Sequence, residues 1–296
     1  MSRRVAAVCA VLCLAGAVGL HAAGDRWFPP TAADVPGLLY VRSPEMARRV
    51  VLGFDAMASD VYWIRALQAF GRERLSPPSH TRTYALLYPL LDLTTTLDPY
   101  FSIAYRFGAI FLGEPYPGGP GRPDLAIALL NKALEKQPQK WQYMQDLGFV
   151  YYWHLQDYVS AAGWFERASQ QPGAPNWLRP LAAVTLTKGG QRASARELFT
   201  QLAQADEAWL RTSAQRRLSQ LDTLDVIDAV QARIDRFTAA HPSQPVTWQA
   251  LIAAGLIRGV PADTTGTPLV IDPDGRVTIA RTSSLWPLPT DQPGPR

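Results

Sequence analysis

Cysteine is nearly absent from this chain. Its two cysteines, Cys9 and Cys13, both lie within one N-terminal apolar run, Val5–Leu20, and none follows. The body therefore has no disulfide, no thiol nucleophile and no cysteine-ligated metal. Histidine is scarce too: His21, His80, His154 and His241 share no spacing with one another or with carboxylates, and the last three fall at breaks or turns, where solvated imidazoles are expected. There is no phosphate-binding glycine loop, no dinucleotide fingerprint and no His-Glu-x-x-His. Asp222, Asp225 and Asp228 recur every third residue and read as a solvated acidic helix face. Asp272 and Asp274 flank Pro273 with no closing glutamate, which suits a turn better than a calcium loop. No nucleophile, base and orienter come together. The chain reads as a non-enzyme that needs no cofactor or metal. Its formal charge is only +4, and its arginines are dispersed, which argues against a nucleic-acid surface.

What is present begins with Arg3 and Arg4 before the Val5–Leu20 run and His21-Ala22-Ala23-Gly24. Residues 1–24 fit a signal peptide, or an uncleaved membrane anchor if counted from Val5 to Gly24. Arginines on the N-terminal side export the body under either reading. Lipidation is excluded, because Leu12 precedes Cys13 and the run before Cys9 is too short. No later stretch is apolar for long enough to span. Residues 25–43 form a linker rich in Pro, Gly and Ala, and Ser43-Pro44-Glu45 opens a helix. That helix carries Met46, Val50, Phe54, Met57, Val61 and Ile64 on one face and is expected to reach about Gly71.

Two stretches then repeat one pattern. Tyr100–Pro138 holds Gly108, Phe111, Ala126, Leu130, Ala133 and Pro138; Gln139–Pro172 holds Leu147-Gly148, Tyr151, Ala161, Phe165, Ala168 and Pro172. Small residues fall where helices cross closely, large apolar ones at packing ridges, and proline ends the second helix. The first copy carries an insertion, Gly113–Pro123, with four prolines and four glycines in eleven residues, which cannot be helix. The second has about one extra residue in the turn His154–Tyr158. A weaker copy covers Trp177–Leu202, with Ala183, Leu186, Ala195 and Phe199, and an upstream pair covers Asp60–Arg74, with Trp63, Leu67 and Phe70, and Tyr84–Pro99.

This pattern resembles the tetratricopeptide (TPR) family over roughly half the chain. The expected fold is all-α: a TPR-like solenoid of helical hairpins over residues 44–202, capping helices over 203–258, a small C-terminal β-hairpin over 259–283, and a disordered tail over 284–296. The capping pair is Glu207–Leu221 and Leu224–Ala240, followed by a short helix Val246–Ile257. The hairpin is read from Leu269-Val270-Ile271 and Arg276-Val277-Thr278-Ile279 around Asp272-Pro273-Asp274-Gly275. Asp263-x-x-Gly266-x-Pro268 also resembles a strand-turn near the ends of secretion-system pseudopilins.

In the TPR family the first helix of each pair lines a concave groove. The resemblance thus implies a protein-binding surface of Gln68, Tyr105, Gln145, Phe149, Tyr152 and Trp153, with Ile64, Ala109, Leu112, Val184 and Lys188 beside them. Tyr116, in the insertion, is a further candidate contact. The set is aromatic and amide-rich, suited to an apolar partner segment. The expectation is an adaptor or scaffold in the bacterial cell envelope, periplasmic or anchored in the inner membrane through residues 5–24. It would hold other envelope proteins of a pilus, secretion or transporter assembly. The alternative is a periplasmic carrier of a lipid or glycan.

Overall fold

The computed structural model describes residues 12–16, 18–19, 44–77 and 81–289. Most of the expected signal or anchor, the whole linker, His80 and the tail from residue 290 lie outside the described residues. Residues 12–16 and 18–19 are helical and exposed. Among the described residues no helix is long and apolar enough to cross a membrane. The fold is mostly helical, with one two-stranded antiparallel sheet, and divides into two units, Met1–Asp98 and Pro99–Arg296.

In the first unit, α1 (Pro44–Val50) and α2 (Asp55–Leu75) are separate helices, not the single one expected. The chain turns left-handed at Leu52 (φ 48°) and Gly53 (φ 90°), a conformation that ends an α-helix. Helix α3 (Leu87–Leu97) packs against both. Ser59, Tyr62, Ala66 and Phe70 on α2, spaced three and four apart, and Leu87, Leu90, Leu91 and Leu97 on α3 are buried. The Ser59 hydroxyl donates to the Thr94 carbonyl (3.0 Å) within that interface, so the buried polar group is satisfied.

In the second unit, α4 (Ser102–Gly113), α5 (Pro123–Lys136), α6 (Trp141–Val150), α7 (Tyr158–Ser169), α8 (Leu178–Lys188) and α9 (Arg192–Leu202) each pack on the next. Local chemistry sets their starts. Pro123 opens α5 with Asp124 in its first turn, and the Asp157 carboxylate caps α7 by accepting from the Ser160 amide (3.0 Å). Ala161, Ala168, Ala182, Ala183 and Ala195 lie fully buried among Phe165, Leu178 and Phe199, so small residues let the helices close around a few large ones. Full burial of a side chain such as Phe165 contributes roughly 1.5–3 kcal/mol.

Where two capping helices are expected, a single 33-residue helix runs, α10 (Ala208–Ala240). Asp222-Thr223 does not break it. Thr223 is buried with its hydroxyl beside Thr264 Oγ1 (3.3 Å), and Asp222 pairs with Arg196 on α9 (2.8 Å). Helix α10 belongs to two cores. Leu210, Ala214 and Leu221 complete the core of the preceding helices. Ile227, Val230, Ile234 and Phe237 form another with Leu251, Ile257, Leu269, Val277, Ile279 and Leu285. The short helix is α11 (Trp248–Ala253), ended by left-handed Gly255 (φ 70°) well short of Ile257.

Strands β1 (Leu269–Ile271) and β2 (Val277–Ile279) pair with Leu269 opposite Ile279 and Ile271 opposite Val277. Asp272 Oδ1 closes the turn by accepting from the amides of Asp274 (3.0 Å) and Arg276 (2.8 Å). Buried Asp263 Oδ1 accepts from the Thr265 and Thr267 amides (2.8 and 2.9 Å), and its Oδ2 from the Ser283 hydroxyl. The segment after Ser283, expected to be disordered, is held as far as it is described. Leu285 is buried, and the Gln220 side-chain amide on α10 donates to the Leu285 and Pro287 carbonyls (2.8 and 2.9 Å).

Candidate functional site: an apolar cavity between α4 and α6

The extra residue in the turn after α6 takes the form of a π-helical turn, Tyr151–Leu155, closed by left-handed Gln156 (φ 52°). A π turn widens the helix by one residue and re-aims the side chains on it. Here it extends α6 past Val150 and brings Trp153 and His154 toward the end of α4.

Between these elements lies a cavity of about 330 Å³ lined by Arg106, Ala109, Ile110, Glu114, Pro115, Asp146, Phe149, Val150, Trp153 and His154. The Trp153 indole stacks on the Phe149 ring (centroids 4.5 Å apart, 8° between planes), and Phe149 meets buried Phe165 edge-on at 5.1 Å. One face of this stack is thus fixed in the core while Trp153 stays 63% exposed. At the edge, Arg106 grips Asp146 with both nitrogens of its fork, Nε–Oδ2 at 2.5 Å and Nη2–Oδ1 at 3.1 Å. Burial pushes the Asp146 carboxyl above the usual carboxylate range, a rise the Arg106 hydrogen bonds oppose; the same pair raises Arg106.

The insertion after α4 closes one end. It folds back on itself, with the Gly119 amide donating to Pro115 O (3.1 Å), Gly121 to Glu114 O (2.9 Å) and Arg122 to Leu112 O (2.8 Å). His154 packs on Gly113 so closely that a β-carbon there would stand 2.7 Å from its Nε2. Burial lowers the His154 pKa, and Glu114 opposes that shift.

Of the expected binding residues, Phe149 and Trp153 line this cavity. Tyr105 does not reach any surface: it is 0% exposed, with its ring 5.6 Å from that of buried Tyr143. Tyr152 is half-buried on inter-helix packing, edge-on to Tyr158 at 5.2 Å, and its hydroxyl accepts from Lys188 Nζ (3.0 Å). Gln145 is half-buried and does not line the cavity; Tyr116 is exposed on the folded insertion, also outside it. Ala109 lines the cavity although it is buried, and Leu112 is buried behind it. Gln68 is exposed on α2 in the other unit. His154, read from sequence as a solvated loop imidazole, is half-buried and part of the wall. Glu114 and Pro115 belong to the insertion that the sequence marks as a candidate contact; Arg106, Ile110 and Asp146 carry no sequence signal, and the Arg106–Asp146 ion pair joins residues forty apart. Asp222, Asp225 and Asp228 are paired with Arg192 and Arg196 across α9 and α10. No group of three metal-ligating side chains occurs among the described residues.

The cavity walls are almost wholly apolar, with charge confined to the rim. Ile110 also continues an exposed apolar row along α4, through Phe107 and Ile103, at spacings of three and four. Such a surface suits apolar contact. The chain matches no family model, no curated protein and no solved structure.

Proposed function

We propose that the chain is a non-enzymatic adaptor, a TPR-like solenoid that holds an apolar helix or extended segment of a partner protein along α4 and in the cavity beside it. The observation that carries this reading is the Phe149–Trp153 stack, anchored on Phe165 yet open to solvent on its Trp153 side. Exposed rigid tryptophans at the centre of an apolar patch are the common hot spots of protein interfaces. The row Ile103, Phe107 and Ile110 matches the three-and-four spacing that a docked amphipathic helix uses. The succession of packed helices and buried alanines supports the solenoid. Placement in the bacterial envelope rests on Arg3, Arg4 and the Val5–Leu20 run, and a role in a pilus, secretion or transporter assembly on the TPR resemblance together with that export signal.

A photo-crosslinking residue at Ile110 tests this in intact cells. The expected product is a discrete protein adduct, absent when the residue sits at exposed Gly163 on α7 and lost in Trp153→Ala. Truncating Trp153 should weaken the partner by roughly 2 kcal/mol or more, while the melt loses only the stacking contribution of about 0.5–1.5 kcal/mol. Equal labelling at Gly163 would sink the site. A small-molecule adduct in place of a protein would favour the carrier of a lipid or glycan, a reading supported by the cavity's size, since small-ligand sites begin at about 300 Å³.

A further inference from the structure

Helix α2 has two apolar faces, and α3 covers only one. Ser59, Tyr62, Ala66 and Phe70 are buried. On the opposite side, Met57, Val61, Ile64, Gln68, Gly71 and Leu75 follow one another at alternating spacings of three and four, a heptad seam, and Phe54 just before the helix keeps the spacing. Its apolar members are about half exposed or more, from Val61 at 46% to Leu75 at 85%. A β-carbon on Gly71 would meet nothing within 4 Å, so that position opens outward.

We infer that this face pairs with α2 of a second copy of the chain, as a parallel two-stranded coiled coil. A heptad seam is self-complementary, so one surface can serve both partners about a two-fold axis. The flanks agree with parallel register: Asp60 precedes the Val61 layer and Arg65 follows it, the positions that face each other between parallel strands. The next such pair, Leu67 and Arg72, carries no like-charge conflict. Gln68 is the one polar residue in the seam, the kind of group that fixes register and strand number. Three heptads, about 31 Å of helix, would bury on the order of 1,200 Å² between two copies, the lower edge of a stable interface. A monomer rarely leaves an apolar patch of more than a few hundred Å² uncovered. This pairing uses residues of the first unit alone and does not depend on the cavity beside α4.

Disulfide trapping in membranes tests it, using the full chain with Cys9 and Cys13 replaced by Ser. Met57→Cys and Gln68→Cys should each give a covalent dimer under mild oxidation. Both linking to themselves requires parallel register. Ala85→Cys, exposed but off the seam, should not link. Adding Ile64→Lys should reduce the Met57→Cys dimer at least tenfold while the monomer keeps its helix content, because about half of Ile64 stands exposed on the seam. Linkage at only one seam position, at neither, or equally at Ala85 would overturn the proposal. So would a chain that stays monomeric while Ile64→Lys releases it from phosphatidylglycerol–phosphatidylethanolamine vesicles, which would give this face to the membrane.

Discussion

A β-carbon placed on Gly148 would stand 2.4 Å from the ring of Phe165. The α6–α7 crossing is therefore closed by hydrogen against an aromatic face, and Phe165 is at once the floor of that crossing and the edge-on support of Phe149. Gly148→Ala should already overpack it, at a cost of about 1–3 kcal/mol, and Gly148→Leu more. That runs opposite to helix propensity, by which alanine in a helix interior gains roughly 1 kcal/mol over glycine. Phe165→Ala should cost about 3–5 kcal/mol. Chemical denaturation of the three variants checks the order; an alanine variant that melts higher than the wild type would mean that the two helices do not cross here.

The Arg106–Asp146 pair predicts a steeper pH dependence once it is broken. Removing Arg106 leaves a buried carboxylate without its cation, and the rise that burial imposes on Asp146 then goes unopposed. For an acid whose folded pKa lies above its unfolded value, stability is full below the unfolded pKa of about 3.9 and is lost as pH rises through the folded value. Arg106→Met should therefore be weak at neutral pH, by about 1–3 kcal/mol after allowing for screening at the exposed end of the pair. It should regain stability as pH falls from the folded value toward the unfolded one of about 3.9. Adding Asp146→Asn should flatten that recovery. Melts across pH for the single and double variants would show it, and parallel curves would count against a buried pair.

Gln220 is the clasp of the C-terminal segment. It is buried on α10 and donates to two carbonyls of the following strap, Leu285 and Pro287. Gln220→Leu keeps the volume and leaves both acceptors without that donor, a cost of about 1–3 kcal/mol for each buried group that stays unsatisfied. The strap should then become open to trypsin at Arg281, while the cleavage pattern of α4–α7 stays as it was. Protection equal to wild type would mean that Leu285 packing alone holds the segment.

The helix order was legible because it rests on local patterns: Leu147-Gly148, the alanines of α7 and α8, the proline stops, and the Asp-Pro-Asp-Gly turn. The surfaces were less so. One helical residue turns the chain by 100°, so choosing Tyr105 over Arg106 or Ile110 puts a buried ring where the cavity wall should be. Asp222-Thr223 looks like a helix boundary until Arg196 and Thr264 supply tertiary partners that keep α10 continuous. The break at Leu52-Gly53 was hidden for the opposite reason, since an apolar face continues across it in sequence while the backbone turns away. The insertion holding Glu114 is marked as a candidate contact by its prolines and glycines, but His154 reads as a solvated turn residue. Each is placed by folding back onto α4, which no spacing encodes.

His154 joins the cavity to pH. Its folded pKa lies below its unfolded value of about 6.5, because burial beside Gly113 outweighs the pull of Glu114. A depressed imidazole binds fewer protons folded than unfolded, so stability is full above the unfolded pKa and declines as pH falls through the folded one. Between pH 7 and 5 the wild type should lose more stability than His154→Gln, and partner binding should weaken over the same interval. Gly113→Ala separates packing from charge. Its new β-carbon would meet the end of a movable ring, so the imidazole can shift into the cavity with little cost to the fold. That variant should melt near the wild type yet bind the partner as poorly as Trp153→Ala. A Gly113→Ala protein that binds normally would place the partner elsewhere on α4, on the Ile103–Phe107 side, and leave His154 a packing residue.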